Sequence, residues 1–435
     1  MTRKVATGKG IIEWILALLL ILEVNSVFYN ATGFNFHISE LACVCVAILA
    51  ILNIRSVNKK IGVAIVLYEL LSGLYLLLSR INPTEIVSFV IKFMLFFPII
   101  ALLYAKNNRM ALRVILKISK ITVFLAAASV VMYLLSYVLP PLGSISIFWG
   151  SDSQRDNYIF FFAGQYQEIA GRHVLRNTGI FVEAPMYGFV LVMALTTQLF
   201  FFEKPQKANI AILCATILST ISVAAIAMMA GLLVLKLYLG RFVFTNGSVQ
   251  IKGNKRNRRL TKFIIVIFGG ILLAYVLYRL FSFKVNTGLS FLKRLDDYVA
   301  AFRAFTSAPV FGIGYGNGDL ITKYMLDWRI QYSSVGYSNA IGIIIATMGI
   351  YGLLLYVLAF FSGIRASLKG KQYHNTLQFA VLIALLIVTV VPMQLYVLQY
   401  LSFGYALGFS YRQRRLKHSR NALKPTCQNA GERIS

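Results

Sequence analysis

The chain has 435 residues, of which 58% are hydrophobic and only 13% are charged. Soluble domains carry roughly 25% charged residues, so this composition cannot cover the surface of a water-soluble globule of this length. The formal net charge of +28 would suggest a nucleic-acid partner in a soluble protein, but basic cytoplasmic loops explain it in a membrane protein. We therefore expect an integral protein of the lipid bilayer with no nucleic-acid partner.

Apolar runs close to the ~20 residues that cross a bilayer as a helix recur along the chain. Two longer runs, 209–239 and 377–411, should each form two spans, turning at Ser219-Thr220-Ile221-Ser222 and at Pro392. The pattern predicts an all-α integral membrane fold, a polytopic bundle of about twelve transmembrane helices in a single domain over residues 1–435. The other predicted spans lie near 11–29, 38–54, 61–79, 86–105, 121–139, 180–202, 263–281 and 339–361.

Basic residues concentrate in alternate connecting segments, which predicts the orientation. Thirty of the 43 Lys and Arg residues fall in seven such segments, and the positive-inside rule makes these cytoplasmic, together with both chain termini. Two long segments, 140–178 and 282–338, then form the large loops on the outer side, where functional residues are expected. The basic segments are 1–10, 55–60, 106–120, 203–208, 240–262, 362–376 and the tail 412–435.

The first outer segment ends in a run of polar residues that enters the sixth predicted span. Arg172, His173 and Arg176 should lie at the membrane surface, and Glu183 should lie about two turns inside the span, with Pro185 bending the helix. If the helix begins early, Arg176 and Glu183 share a face. A carboxylate inside a span is costly and usually faces a wet cavity or the bundle interior. The two residues therefore form either a substrate site or a buried ion pair that fixes the span.

The second outer segment begins with a helical pattern over residues 293–305. Its apolar stripe of Leu295, Tyr298, Phe302 and Phe305 predicts a helix that lies on or over the membrane surface. A loop with alternating glycines follows at 309–318, and such a loop lets backbone N–H groups approach an anion. Gly312 and Gly314 are therefore candidates for a phosphate cradle, although a glycine-rich turn alone is a weak signal.

Several cationic residues lie on the side that the positive-inside rule should leave poor in them. An anionic ligand at the outer leaflet explains this, and the planar guanidinium of Arg matches phosphate geometry. A lipid pyrophosphate fits, because its tail stays in the bilayer while its charge lies at the level of the arginines. The residues are Arg80, Lys92, Arg172, Arg176, Arg294 and Arg303, of which Lys92 lies inside span four and can alternatively snorkel to the headgroups.

The sequence lacks the usual motifs for bound nucleotides and metals. It contains no P-loop, no dinucleotide fingerprint, no HExxH motif and no DxD pair on a cytoplasmic loop. Its four cysteines show neither a zinc spacing nor a disulfide framework. We expect no cofactor and no metal, which argues against an enzyme that binds a nucleotide-sugar through a metal.

The order of the motifs resembles a known family. R-x-x-G-x-x-x-E-x-P opens a central span, P-x-x-G-x-G-x-G-N follows the loop helix, and Asn339 begins a span that contains Gly349 and Gly352. This arrangement, over roughly residues 120–365, resembles the O-antigen polymerase and ligase superfamily, including bacterial capsule and exopolysaccharide polymerases of the Wzy type. The resemblance implies a GT-C-like membrane glycosyltransferase in the bacterial plasma membrane. Its reaction transfers a growing glycan from undecaprenyl pyrophosphate to a lipid-linked repeat unit on the outer face, without a metal.

The resemblance also implies roles for particular residues. Arg176 matches the arginine before the central span, and Arg294 matches the arginine that opens the loop helix, where Tyr298 replaces a frequent tryptophan. Asn339 stands where ligases usually have a histidine, which favours a polymerase. Glu183 is the candidate general base, or it orients Arg176. Asp296, Asp297 and Asp319 compete with Glu183 for the role of base.

Three other functions stay open at this point. A ligase that moves finished glycan differs only in its acceptor. A translocator of lipid-linked oligosaccharide would predict two repeated halves, which we do not detect, and a purely structural membrane protein would leave the outer arginines unexplained. The sequence does not give the sugar, the linkage or the oligomeric state, nor whether a chain-length regulator is a partner.

Overall fold

The computed structural model describes most of the chain between residues 2 and 384 and is mostly helical. The helices and strands below all belong to this described part. The described residues are 2–28, 35–53, 59–96, 98–99, 108–147, 153–157, 165–169, 172–202, 206–239, 242–245, 248–251, 289–331, 337, 339–369, 376–377, 379–381 and 383–384.

Eleven α-helices are found in the described part of the chain. They are α1 (Thr2–Leu22), α2 (Asn35–Asn53), α3 (Lys59–Leu78), α4 (Ile86–Phe89), α5 (Asn108–Leu135), α6 (Ala184–Phe200), α7 (Lys207–Ser219), α8 (Val223–Leu239), α9 (Leu289–Ser307), α10 (Asp327–Gln331) and α11 (Ala340–Lys369). Two 3₁₀ segments (Pro83–Glu85 and Gly318–Tyr324) and one π-helical segment (Val90–Phe96) accompany them.

Two helices are long and apolar enough to cross a membrane, namely Arg113–Leu135 within α5 and the whole of α11. The structure thereby supports a membrane protein. Six further apolar helical segments in the described residues are shorter, so the twelve spans and their orientation stay predictions. The span predicted at 263–281 and most of the run 377–411 lie outside the described residues, as does the basic tail.

α5 is the central helix of the main hydrophobic core and packs against α1, α6 and α7. Its buried side recurs every three or four residues. At its start, the carboxylate of Glu13 on α1 lies 2.8 Å from Arg113 Nη2 and 2.7 Å from Lys117 Nζ. Most of the basic segment 106–120, predicted to be a loop, is therefore helical, and two of its cations pair with a buried carboxylate. The buried residues are Val114, Ile115, Ile118, Ser119, Thr122, Ala126 and Ser129.

Three of the predicted spans have different bounds in the structure. The first was expected at 11–29, but α1 ends at Leu22 and the buried residues 23–26 after it are non-helical. The N–H of Val27 donates to Ile180 O (2.8 Å), and the N–H of Val182 donates to Asn25 O (3.0 Å). This extended pairing also delays the sixth span, expected from 180, to Ala184. The fourth, expected at 86–105, begins with the short α4 and continues as the π-helical Val90–Phe96.

The break predicted inside 209–239 is confirmed. α7 ends at Ser219, Ile221 has a positive φ of 51°, and α8 begins at Val223. At 1.5 Å per residue, the two helices are only about 20 and 25 Å long, shorter than a bilayer core of about 30 Å. They form a short helical hairpin that packs against α6.

The all-α prediction is wrong in one respect, because the described residues include three antiparallel hairpins. These are β1 (Gly143–Ile147) with β2 (Ser153–Asn157), β3 (Gln165–Ile169) with β4 (Arg172–Arg176), and β5 (Phe242–Thr245) with β6 (Ser248–Ile251). The first two lie within 140–178, which the sequence analysis predicted only as a long loop. In the second, Gln165 pairs with Arg176 and Ile169 pairs with Arg172.

α11 is interrupted at Gly349, which has φ 59° and ψ −148°. The loop after α9 fills the interruption: Ile350 N–H donates to Pro309 O (2.8 Å), and Gly314 N–H donates to Thr347 O (3.0 Å). These bonds satisfy backbone groups that the break would leave unpaired, as a membrane interior requires. The sequence analysis expected a continuous span here.

Candidate functional site

Glu183 is not inside the sixth span, as predicted, but immediately precedes it. Its backbone is extended (φ −141°, ψ 144°), and its carbonyl accepts the N–H groups of Met186 (3.1 Å) and Tyr187 (3.2 Å) at the start of α6. Pro185 lies in the first turn, where its missing N–H costs nothing, so it does not bend the helix. Arg176 and Glu183 consequently do not share a helical face. They are the last residue of β4 and the N-cap of α6.

Arg176 is buried, and the helical hairpin holds its side chain in place. Its Nε donates a 2.9 Å hydrogen bond to the carbonyl of Thr220 in the turn between α7 and α8. Within the described residues, its two terminal nitrogens make no hydrogen bond. Burial lowers the pKa of Arg176 to about 10, with the nearby Glu183 carboxylate raising it and the Arg294 guanidinium lowering it.

Arg294 reaches the same place from α9 and is partly buried. Burial lowers the pKa of its guanidinium, while Tyr298, Asp297 and Glu183 raise it. Arg176, Glu183 and Arg294, hereafter the arginine cluster, are thus brought together from β4, the start of α6 and α9. The cluster contains two cations and one carboxylate, Asp297 is a second carboxylate that acts on Arg294, and the guanidinium groups offer donors for an anion.

Two residues that the sequence analysis missed support this cluster. The side chain of Gln165, opposite Arg176 in the hairpin, accepts the N–H of Ala184 (2.9 Å) and so ties β3 to the start of α6. Asn177 is fully buried, and its Nδ2 donates to Ser219 Oγ (2.9 Å) and Ser129 Oγ (3.3 Å). Its N–H donates to Ser219 O (3.0 Å), which fixes the residue after Arg176 on the helical hairpin.

Tyr298 and Asn339 extend the cluster toward α11. Burial raises the pKa of Tyr298, whose environment includes Asn339, Arg294 and Asp297, so its phenol is neutral at physiological pH. Asn339 is buried, and its Oδ1 accepts the N–H of Gly342 (3.1 Å), which caps the N-terminus of α11. Its Nδ2 is buried without a hydrogen-bond partner among the described residues.

No protein-family model matches this chain, and no curated protein is similar to it. The family resemblance of the motifs, and the roles that it implies, therefore stay predictions. The geometry of the arginine cluster is the observation on which a function has to rest.

The other predicted cations lie in or beside four different elements. Arg303 is exposed on the far part of α9, about 13 Å along the helix from Arg294, and its Nη1 lies 3.4 Å from Tyr324 O. Arg80 is exposed and follows α3, and Lys92 lies in the π-helical segment. Arg172 and His173 are on β4, with His173 exposed.

The interpretation of Gly312 and Gly314 as an anion cradle is wrong in this structure. Their N–H groups donate to Ala308 O (2.8 Å) and Thr347 O (3.0 Å). Both have positive φ (68° and 103°), and a Cβ would collide with the Thr347 backbone or the Arg80 carbonyl. These glycines are needed for close packing of the loop against α11 and the end of α3.

Asp296 and Asp297 are poor candidates for a general base, because both are buried in an ion pair. Arg329 Nη1 lies 2.6 Å from Asp297 Oδ1 and 3.2 Å from Asp296 Oδ2, and it also donates to Lys293 O (3.0 Å). The sequence analysis did not identify Arg329, which is 32 residues from Asp297 in the sequence. Asp319 is exposed on the Gly318–Tyr324 segment.

Proposed function

We propose that the protein is a metal-independent membrane glycosyltransferase that polymerises lipid-linked sugar repeat units on the outer face of the bacterial plasma membrane. The proposal includes the twelve-span bundle with both termini in the cytoplasm. The substrate is a glycan on undecaprenyl pyrophosphate, and the acceptor is a second lipid-linked repeat unit. The observation that supports it best is the convergence of Arg176 and Arg294 on Glu183.

Two guanidinium groups held close together repel each other, and the Arg294 guanidinium lowers the pKa of Arg176. Their burial makes the arrangement costlier, and the carboxylates that offset it are Glu183 at both arginines and Asp297 at Arg294. A bound phosphate or pyrophosphate would add further negative charge beside the two guanidinium groups. Guanidinium groups match phosphate geometry through paired N–H donors, so an anionic leaving group is the ligand that this cluster fits best.

The chemistry follows from these positions. The bond between the anomeric carbon of the growing glycan and pyrophosphate breaks, and its electron pair leaves with the pyrophosphate. Arg176 and Arg294 stabilise the charge that develops on this leaving group. The acceptor hydroxyl forms the new bond to the anomeric carbon, and its proton passes to Glu183, which acts as the general base.

The test compares arginine variants in cells that lack the native gene. Arg176→Ala and Arg294→Ala should each abolish long glycan chains, because the leaving group loses a cation. Removing one charge-stabilising donor typically costs about 100- to 1,000-fold in turnover. The measurement is the length distribution of surface and lipid-linked glycan by gel electrophoresis.

Lys323→Ala is the matched control, since Lys323 is an exposed cation within the same predicted outer segment. It should leave chain length unchanged, and all three variants should reach the membrane in equal amounts. Full-length polymer from both arginine variants would exclude the pyrophosphate-binding role of the cluster.

A further inference from the structure

α9 has an unusual distribution of side chains, with its two acidic residues turned inward and several large apolar residues turned outward. Leu295 is 53% exposed and Phe302 is 60% exposed, and Leu292, Tyr298 and Val299 are exposed beside them. The opposite side of the helix is buried against α11 and the Gly318–Tyr324 segment. That buried side consists of two acids and three alanines, namely Asp296, Asp297, Ala300, Ala301 and Ala304.

The contacts of Arg329 explain why the acids of α9 face inward and its large apolar residues face outward. The side chain of Arg329 is only 1% exposed, and it binds both Asp297 and Asp296 beneath the helix. Asp296 Oδ2 also accepts the N–H of Leu326 (3.3 Å). The two acids must therefore face inward, and the alanines allow the helix to pack closely there. Because these contacts fix the rotation of α9 about its own axis, its large apolar residues face outward.

The apolar stripe consists of Leu292, Leu295, Tyr298, Val299 and Phe302 and runs about 15 Å along the helix. Its charged neighbours are all cationic: Arg303 is exposed, and Lys293 and Arg294 are partly buried. Both acids of the helix are hidden, so the exposed surface is apolar with basic edges. This combination is typical of helices that lie in the interface of an anionic membrane.

We infer that α9 is an interfacial helix whose apolar stripe lies among the acyl chains of the bilayer. α11, against which α9 packs, is one of the two helices able to cross a membrane, so α9 is close to the lipid. In water, a stripe of this size would be an exposed apolar patch of the kind that soluble surfaces avoid. The inference does not depend on the proposed catalytic reaction.

The test uses the full chain, with its native cysteines replaced by alanine, reconstituted in anionic liposomes. A single cysteine replaces Leu295 or Phe302 and carries a fluorescent label. The controls are Asp319→Cys and Lys323→Cys, which are exposed on the neighbouring Gly318–Tyr324 segment. Both stripe positions are exposed, so the substitutions remove few packing contacts, and gel filtration verifies folding.

Lipids brominated near the headgroup end of an acyl chain should quench the stripe labels and not the control labels. Aqueous iodide should quench the control labels and not the stripe labels. Iodide quenching of the stripe would place it in water, and no quenching by either agent would show that another part of this chain covers it. Quenching that changes with the protein-to-lipid ratio would indicate that a second copy of the chain covers the stripe. Equal lipid quenching of the stripe and control labels would contradict the assignment of the stripe as the lipid-facing side of α9. Any of these four results overturns the inference.

Discussion

Arg176 is fixed by contacts that leave part of its side chain available. Its Nε is used by the Thr220 carbonyl, while the terminal nitrogens make no hydrogen bond within the described residues. Asn177, the next residue, is bound to the same turn through its backbone and its amide. A side chain held in this way loses little conformational freedom when it binds an anion, which favours tight and oriented binding.

The pH dependence of Arg176→Lys should differ from that of the native protein. Burial disfavours the charged form, so the pKa of Arg176 lies at about 10, below its ordinary value. A lysine starts from a lower ordinary pKa of about 10.4, and the same burial lowers it further. Polymerisation by the lysine variant should therefore be weaker. As the pH is raised, it should be lost at a lower pH than polymerisation by the native protein.

The measurement is polymerisation by each protein in proteoliposomes over a series of alkaline pH values. Lys323→Arg, a change of cation at an exposed position, is the control and should follow the native profile. An Arg176→Lys profile that coincides with the native one would mean that the charge at this position is not required.

At the level of elements, the break in α11 is a built-in feature of the fold. Gly349 adopts a backbone conformation that is almost exclusive to glycine, and the loop of Pro309 to Gly314 supplies the hydrogen bonds lost at the break. Tyr75 of α3 contributes as well, since its hydroxyl donates to Thr347 O (3.2 Å) and accepts the N–H of Tyr315 (3.1 Å). The break therefore links α11 to α3 and to the loop that follows α9.

Gly349→Ala should destabilise the protein by roughly 1–3 kcal/mol, the usual cost of such a strained conformation. Its Cβ would lie 2.6 Å from Gly312 N and 2.6 Å from Pro309 O, so the loop would also have to move. The measurement is the fraction of protein that stays monodisperse in detergent after heating.

Gly231→Ala in α8 is the control. No atom lies within 4 Å of the added Cβ, and alanine favours a helix over glycine by about 1 kcal/mol. This variant should be as stable as the native protein or slightly more so. Equal stability of the two variants would show that the break in α11 is not required.

The sequence predicted elements where the signal is local. The turn at Ser219–Ser222 followed from the length of an apolar run, and the helix of 293–305 followed from its periodicity. The start of α6 was missed because Ile180–Val182 are apolar yet pair with the 25–27 segment, a contact distant in sequence. One hairpin was missed despite its local signal, since Asn246-Gly247 between β5 and β6 is typical of a tight turn.

The site was predictable in part for the same reason. Arg176, Glu183 and Arg294 were selected by residue type and motif, and the structure brings them together. The partners that hold them were not predictable, because Thr220 and Gln165 contribute through a backbone carbonyl and a side-chain amide with no motif. The outward-facing apolar stripe of α9 depends on the ion pair of Arg329, which forms only in the folded chain.

At the scale of the whole molecule, several helices end in one buried layer. Residues 23–26, 177–183 and 220–222 are non-helical, and hydrogen bonds at or beside them join Val27 to Ile180, Val182 to Asn25 and Asn177 to Ser219. In a membrane, such backbone is tolerated where protein buries it or where it lines a wet cavity. In the proposed arrangement, the arginine cluster would lie in this layer, below the outer surface of the bilayer.

The proposed orientation makes a separate prediction. Single cysteines at Phe160 and Lys255, in a chain without its native cysteines, should differ in labelling of intact cells by a membrane-impermeant thiol reagent. Position 160, in the predicted outer loop, should react directly, and position 255, in the basic segment 240–262, should react only after the membrane is permeabilised. Direct labelling at 255 alone would reverse the orientation.

The measurement that tests polymerisation most directly is the size profile of lipid-linked and surface glycan in cells lacking this gene. The account predicts that the ladder of long chains disappears and that single repeat units on undecaprenyl pyrophosphate accumulate on the outer leaflet. Long chains that still form on the lipid carrier but fail to reach their final acceptor would contradict it in favour of ligation. Repeat units trapped on the inner leaflet would contradict it in favour of translocation.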